Sequence, residues 1–146
     1  MHYKQYEITP GDTAMVYEFV SQGVKGNVAK LVVYTPTDLS GTFNLGFGDK
    51  TCTDDFDDVA VTNNGDVLKV MATVAATLYS FTDRFPDAKV FAKGSTESRT
   101  RLYRMAISNN LDLINIDFQV YGLKDYVWEK FTIGIDYEGF LVKRKK

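Results

Sequence analysis

Residues 42–48 read Thr-Phe-Asn-Leu-Gly-Phe-Gly. Phe43, Leu45 and Phe47 alternate with Thr42, Asn44, Gly46 and Gly48, and a period of two places three large apolar side chains on one face of an extended strand. The opposite face is bare, so a neighbouring element packs closely there, a helix lying on the glycines, or a ligand approaches it. Upstream, residues 13–21 and 28–35 are rich in β-branched and aromatic side chains, with a turn between Gly23 and Gly26 and a stop at Pro36. The first part of the chain is therefore read as antiparallel strands.

The period changes after the acidic loop at 49–66. Val67, Val70, Met71, Val74, Leu78, Phe81 and Phe85 recur at spacings of three and four, the stripe of an amphipathic helix over about residues 66–85. Asp66 is its expected N-cap and Pro86 its stop. A short strand at 88–93 leads through Gly94-Ser95-Thr96 into a second helix at about 97–109. Ile114, Ile116, Phe118 and Val120 then alternate with polar residues, predicting a strand, with a turn at Gly122 to Asp125 and further strands at 126–133 and 136–143. The order gives an α+β fold, a largely antiparallel β-sheet with two α-helices, in one domain over residues 1–146.

Scarce residues narrow the chemistry. His2 is the only histidine and Cys52 the only cysteine among 146 residues, which leaves no intramolecular disulfide, no cysteine-built zinc site and no histidine-based triad away from the N-terminus. A formal net charge of −2 argues against an overall polyanion-binding coat but not against a local basic patch. The longest mostly apolar stretch, 67–85, is interrupted by Lys69, Ser80, Asp83 and Arg84, so no membrane partner is expected and a cytoplasmic location is the default.

Chemistry concentrates at the second helix. A strand running into Gly94-Ser95-Thr96 and then a helix presents backbone N–H groups at the positive end of a helix dipole, a setting for phosphate. Arg99, Arg101 and Arg104 follow, with Lys93 and Tyr103 as secondary contacts. At about 100° per residue, Arg101 and Arg104 fall beside Glu97, where a Glu97–Arg101 ion pair or contact with phosphate both fit. Arg99 falls with Leu102, Tyr103 and Ala106 on the inward arc. A guanidinium buried there needs an anion, either an internal carboxylate or a bound ligand. Charge is also segregated: residues 49–58 carry five aspartates against Lys50, a net of −4, and residues 89–104 carry a net of +4. The acidic loop either covers the basic helix or each half serves its own partner.

Three apparent motifs fail. Gly46-Phe47-Gly48-Asp49-Lys50-Thr51 lacks the glycine spacing of a phosphate loop. The run Asp54-Asp55-Phe56-Asp57-Asp58 lacks the glycine and closing glutamate of a calcium loop, so no metal is expected. Gly94-Ser95 with Asp112 and Asp117 echoes nucleotidyltransferases, but acids five apart in a strand point to opposite faces. No cofactor is expected.

Residues 94–104 (Gly-Ser-Thr-Glu-Ser-Arg-Thr-Arg-Leu-Tyr-Arg), 64–74 (Asn-Gly-Asp-Val-Leu-Lys-Val-Met-Ala-Thr-Val) and 44–49 (Asn-Leu-Gly-Phe-Gly-Asp) resemble a small uncharacterised domain family associated with Bacteroidetes-type bacteria, as do 118–122, 128–131 and 137–142. The resemblance spans roughly residues 17–143 and is most specific at Gly-Ser-Thr-x-x-Arg-Thr-Arg-Leu-Tyr. It implies a free-standing bacterial domain and brings no activity or site residue with it.

Three functions remain in view. One is a module that binds a phosphate-containing partner, a single-stranded RNA or DNA or a nucleotide, at Gly94-Ser95-Thr96 with Arg99, Arg101 and Arg104. Another is a small toxin-type nuclease or nucleotide-processing enzyme in which Arg99, Tyr103 and an aspartate from 54–58 share the chemistry. The third is an assembly protein, a homodimer or a toxin–antitoxin or defence-system partner.

Overall fold

The computed structural model describes residues 5–11, 15–50, 64–94 and 96–145, and the backbone of 56–57. Among these residues, nine strands and three helices follow in order. They are β1 (Thr9–Pro10), β2 (Val16–Gly23), β3 (Gly26–Pro36), β4 (Thr42–Lys50), β5 (Phe56–Asp57), α1 (Val67–Arg84), β6 (Lys89–Ala92), α2 (Glu97–Asn109), α3 (Leu111–Asp117), β7 (Phe118–Lys124), β8 (Val127–Lys130) and β9 (Gly139–Arg144). The nine strands belong to one sheet in the order β1-β2-β3-β4-β6-β9-β7-β8, with β5 paired to β4. Every pairing is antiparallel except β4 with β6, where α1 is the crossover that a parallel pair requires. The α+β class and the mainly antiparallel sheet match the sequence reading, and the sheet is larger than that reading implied.

The alternation in β4 settles which face is covered. Leu45 and Phe47 lie in register with Tyr34 and Val32 of β3, and Leu45 pairs with Ala92 of β6. These side chains join Val70, Met71, Val74 and Phe81 of α1 in a single core. Phe81 is fully buried and stacks on the Tyr34 ring at 4.1 Å between centroids. The buried threonines of α1 do not leave polar atoms stranded: Thr73 Oγ1 donates to the Lys69 carbonyl at 2.8 Å, and Thr77 Oγ1 to Val74 at 2.7 Å.

Four local expectations need correction. The helices lie against the Phe43/Leu45/Phe47 face, so no helix rests on Gly46 and Gly48; their side of the sheet is the one opposite the helices. Residues 111–117 form a third helix where a strand was expected. Leu111 and Ile114, one helical turn apart, pack on the core, whereas Ile116 is 66% exposed, so the apparent alternation starts to hold only at Phe118. The hairpin turn falls at Asp125 and Tyr126, with φ of 51° and 65°, so of the expected turn at Gly122 to Asp125 only the last residue belongs to it. Gly122 lies inside β7, because the Tyr137 ring occupies the space a side chain would need: an added Cβ would come within 2.3 Å of it. Finally, Asp66 does not cap α1 through its side chain. Its Oδ2 instead accepts hydrogen bonds from Tyr6 (2.5 Å) and Ser21 (2.6 Å), tying residue 6 to the β2–β3 hairpin.

Candidate functional site

Strand β6 delivers Lys93 and Gly94 to the start of α2. Gly94 is required by close approach: a Cβ there would lie 2.4 Å from the Thr100 nitrogen and 2.5 Å from Arg99 Cβ and Cγ. The Thr96 hydroxyl caps the helix by accepting from the Arg99 N–H at 3.1 Å, and the Gly94 N–H donates to Thr100 Oγ1 at 3.1 Å. Part of the amide array expected to be free is therefore occupied within the protein. Ser95 lies outside the described residues.

Arg99 points inward, as its helical angle requires, and is 5% exposed. Its partner within the fold is a backbone carbonyl and not the internal carboxylate anticipated as one alternative. Nη1 donates to the Phe47 carbonyl, and the guanidinium lies 5.1 Å from the centre of the Phe47 ring. The register explains the position. β4 pairs with β6 through Leu45 and with β5 from Asp49, so residues 46–48 have no strand beside them on that side among the described residues. Arg99 fills this interruption and satisfies a carbonyl the ladder leaves over. Its Nη2 is buried without a hydrogen-bond partner among the described residues. Lys30, also buried, lies near the same ring at 5.8 Å and pairs with Asp49 at 2.5 Å.

The other predicted residues separate into two groups. Lys93, Arg101 and Arg104 line a cleft of about 340 Å³ in front of α2, facing Glu97, Asp136 and Glu138. Arg104 is ion-paired with Asp136. Lys93 and Arg101 are exposed and have no ion-pair partner among the described residues, so the expected Glu97–Arg101 pair does not form. Tyr103 is 5% exposed and belongs to the core, beside an apolar cavity of about 80 Å³ between α1, α2 and the sheet. It is a packing residue, not a surface contact. Of the acidic segment, Asp49 is held by Lys30, while 51–55 and 58, including Cys52, lie outside the described residues, as do the side chains of 56 and 57. Asp112 and Asp117 lie in α3, where Asp117 accepts from the Tyr79 hydroxyl at 2.8 Å. Burial and that carboxylate push the Tyr79 pKa up to about 12. Among the described residues no helix is long and apolar enough to cross a membrane.

A second polar surface was not anticipated. On the face opposite the helices, Lys89 of β6 lies in register with Lys143 of β9, which is in register with Gln119 of β7. One step along, Phe91, Leu141, Tyr121 and Lys130 form the next row. Phe91 lies over Gly139 and meets Trp128 edge-on, at 5.9 Å and 83°. At the β7 margin, Gln119, Tyr121 and Lys130 continue into a cleft of about 370 Å³ with Asn115 and Lys145. The signal was present only as short alternations, Lys89/Phe91 and Leu141/Lys143, in strands that the sequence does not place side by side.

A comparison with protein families matches residues 2–145 to DUF6934, a family of unknown function. The chain belongs to this family. No curated protein and no solved structure matches it. Membership covers nearly the whole DUF6934 chain and agrees with the expectation of an uncharacterised domain.

Proposed function

We propose that this DUF6934 protein is a binding module for a phosphate-containing partner, a single-stranded nucleic acid or a nucleotide, received in the cleft before α2. The observation that carries this reading is the exposed pair Lys93 and Arg101, both without a carboxylate partner among the described residues, at the positive end of a thirteen-residue helix. Glu97, Asp136 and Glu138 on the same walls limit the surplus positive charge, which suits one phosphate group better than a continuous run. Arg99 contributes as a positioning residue: it fixes the first turn of α2 against β4 and does not reach the cleft.

The test is anisotropy of a fluorescein-labelled nucleoside triphosphate and of a labelled single strand, at low and moderate salt, with wild type and Lys93→Ala/Arg101→Ala. Loss of two charge-assisted contacts predicts at least a tenfold weakening, since each is worth about 1.5–3 kcal/mol. Wild-type affinity in the double variant would overturn the assignment.

A further inference from the structure

The half of the sheet that no described residue covers on the face opposite the helices carries a surface distinct from the α2 cleft. We propose that β6, β9, β7 and β8 bind single-stranded nucleic acid, with bases stacking on Phe91, Tyr121 and Trp128 and phosphates meeting Lys89, Lys130 and Lys143.

Charge is the first argument. The outward positions of these four strands contain no aspartate or glutamate. None of Lys89, Lys130 and Lys143 has an ion-pair partner among the described residues. Lys89 and Lys143 stand directly opposite each other across the β6–β9 pair. Like charges in that relation destabilise a sheet, and an acid at either position would have relieved it. A polyanion laid across the pair relieves it as well.

The aromatic side chains supply the second argument. Trp128 is 42% exposed, and Phe91 is held against it over the bare Cα of Gly139, so a fixed aromatic band emerges from the sheet instead of folding into the core. Three strand spacings separate β6 from β8, roughly 14 Å, enough for two or three bases. Stacking tolerates any base because every base has a π-face, and it requires the bases to be unpaired, which selects a single strand over a duplex. Asn115 and Gln119 in the adjoining cleft provide amide groups for base edges. A protein partner fits less well, because interface centres are depleted of lysine.

Trp128 is the only tryptophan in the chain, so fluorescence excited selectively at tryptophan reports on this surface. The experiment titrates the protein at low and moderate salt with 20-nucleotide oligo-dT, oligo-U and a duplex of equal length, reading Trp fluorescence and anisotropy together. Expected are quenching by single strands and not by duplex, with affinity that falls with salt. Lys89→Ala/Lys143→Ala should bind at least tenfold more weakly while melting no lower than wild type, and Phe91→Leu should weaken quenching without unfolding. The two oligonucleotides separate RNA from DNA as the preferred strand. The α2 cleft is followed separately through the labelled nucleoside triphosphate, which Lys89→Ala/Lys143→Ala should bind as tightly as wild type, so the two surfaces are tested apart. Binding without quenching, or binding indifferent to the lysine pair, would overturn the sheet-face proposal while leaving the α2 cleft standing. Absence of single-strand binding at low salt would overturn it too, as would quenching that follows protein concentration alone and so marks a second copy.

Discussion

Replacing Arg99 tests whether it mends the sheet or holds a ligand. Arg99→Ala removes a charge-assisted hydrogen bond to the Phe47 carbonyl, worth about 1.5–3 kcal/mol, and a desolvated contact with the Phe47 ring worth up to about 2 kcal/mol. Two stem methylenes lost from a buried position add about 1.6 kcal/mol. Against this, the variant no longer buries an unpartnered Nη2, which returns about 1–3 kcal/mol. The net expectation is a destabilisation of about 3–4 kcal/mol, or a Tm lower by about 10 °C for a chain of this size. Arg99→Met keeps most of the stem and should lose about 2 kcal/mol. Arg101→Ala, on the exposed side of the same helix, should stay within about 0.5 kcal/mol of wild type. Equilibrium urea unfolding of the three variants gives these values directly. If Arg99→Ala were as stable as wild type yet lost affinity for a labelled nucleotide, the argument would fail, and Arg99 would have to reach the ligand.

Two further outcomes follow from the packing. Gly122→Ala should lose about 1–3 kcal/mol by the same urea assay, because its Cβ would meet the Tyr137 ring at 2.3 Å while Phe131 and Phe140 hem that ring in; an unchanged midpoint would mean that the ring can move. Alkaline titration should weaken the fold through Tyr79. Its pKa rises from the ordinary 10 to about 12 on folding, so the neutral hydroxyl is the form the fold favours. That stability is complete below about pH 10 and is lost as the pH climbs toward 12. Tyr79→Phe should flatten the fall between these limits without abolishing it, since burial also raises the pKa values of Tyr34, Tyr17 and Tyr6.

What could be read from the residues was what local periodicity controls. The α1 stripe, the alternation of β4, the Gly23–Gly26 hairpin and the inward angle of Arg99 all follow from spacing within one element. The errors have one common source: they depended on what lies beside an element. Ile114, Ile116 and Phe118 look like a strand until Leu111 and Ile114 are seen against the core. The bare side of β4 does not reveal whether a helix lies over it. Nor does Arg99 show that its partner is a backbone carbonyl in an interrupted ladder, since a carbonyl carries no residue identity. The lysines of the face opposite the helices come from three different strands, adjacent only after β6 inserts between β4 and β9.

That insertion has a consequence for the order of assembly. Strands β1 to β4 are neighbours in both sequence and space, so this meander can form from its own residues by closing short loops. The other half, β7 with β8 and β9, is just as local. Only the four residues of β6 join the two, through a parallel pairing on one side and, on the other, a partner that is complete only at Arg144. During synthesis the first half thus emerges with the β6 side of β4 still open. That edge is sealed once β6 is complete at Ala92, and the far edge of β6 then stays open until β9 is complete at Arg144.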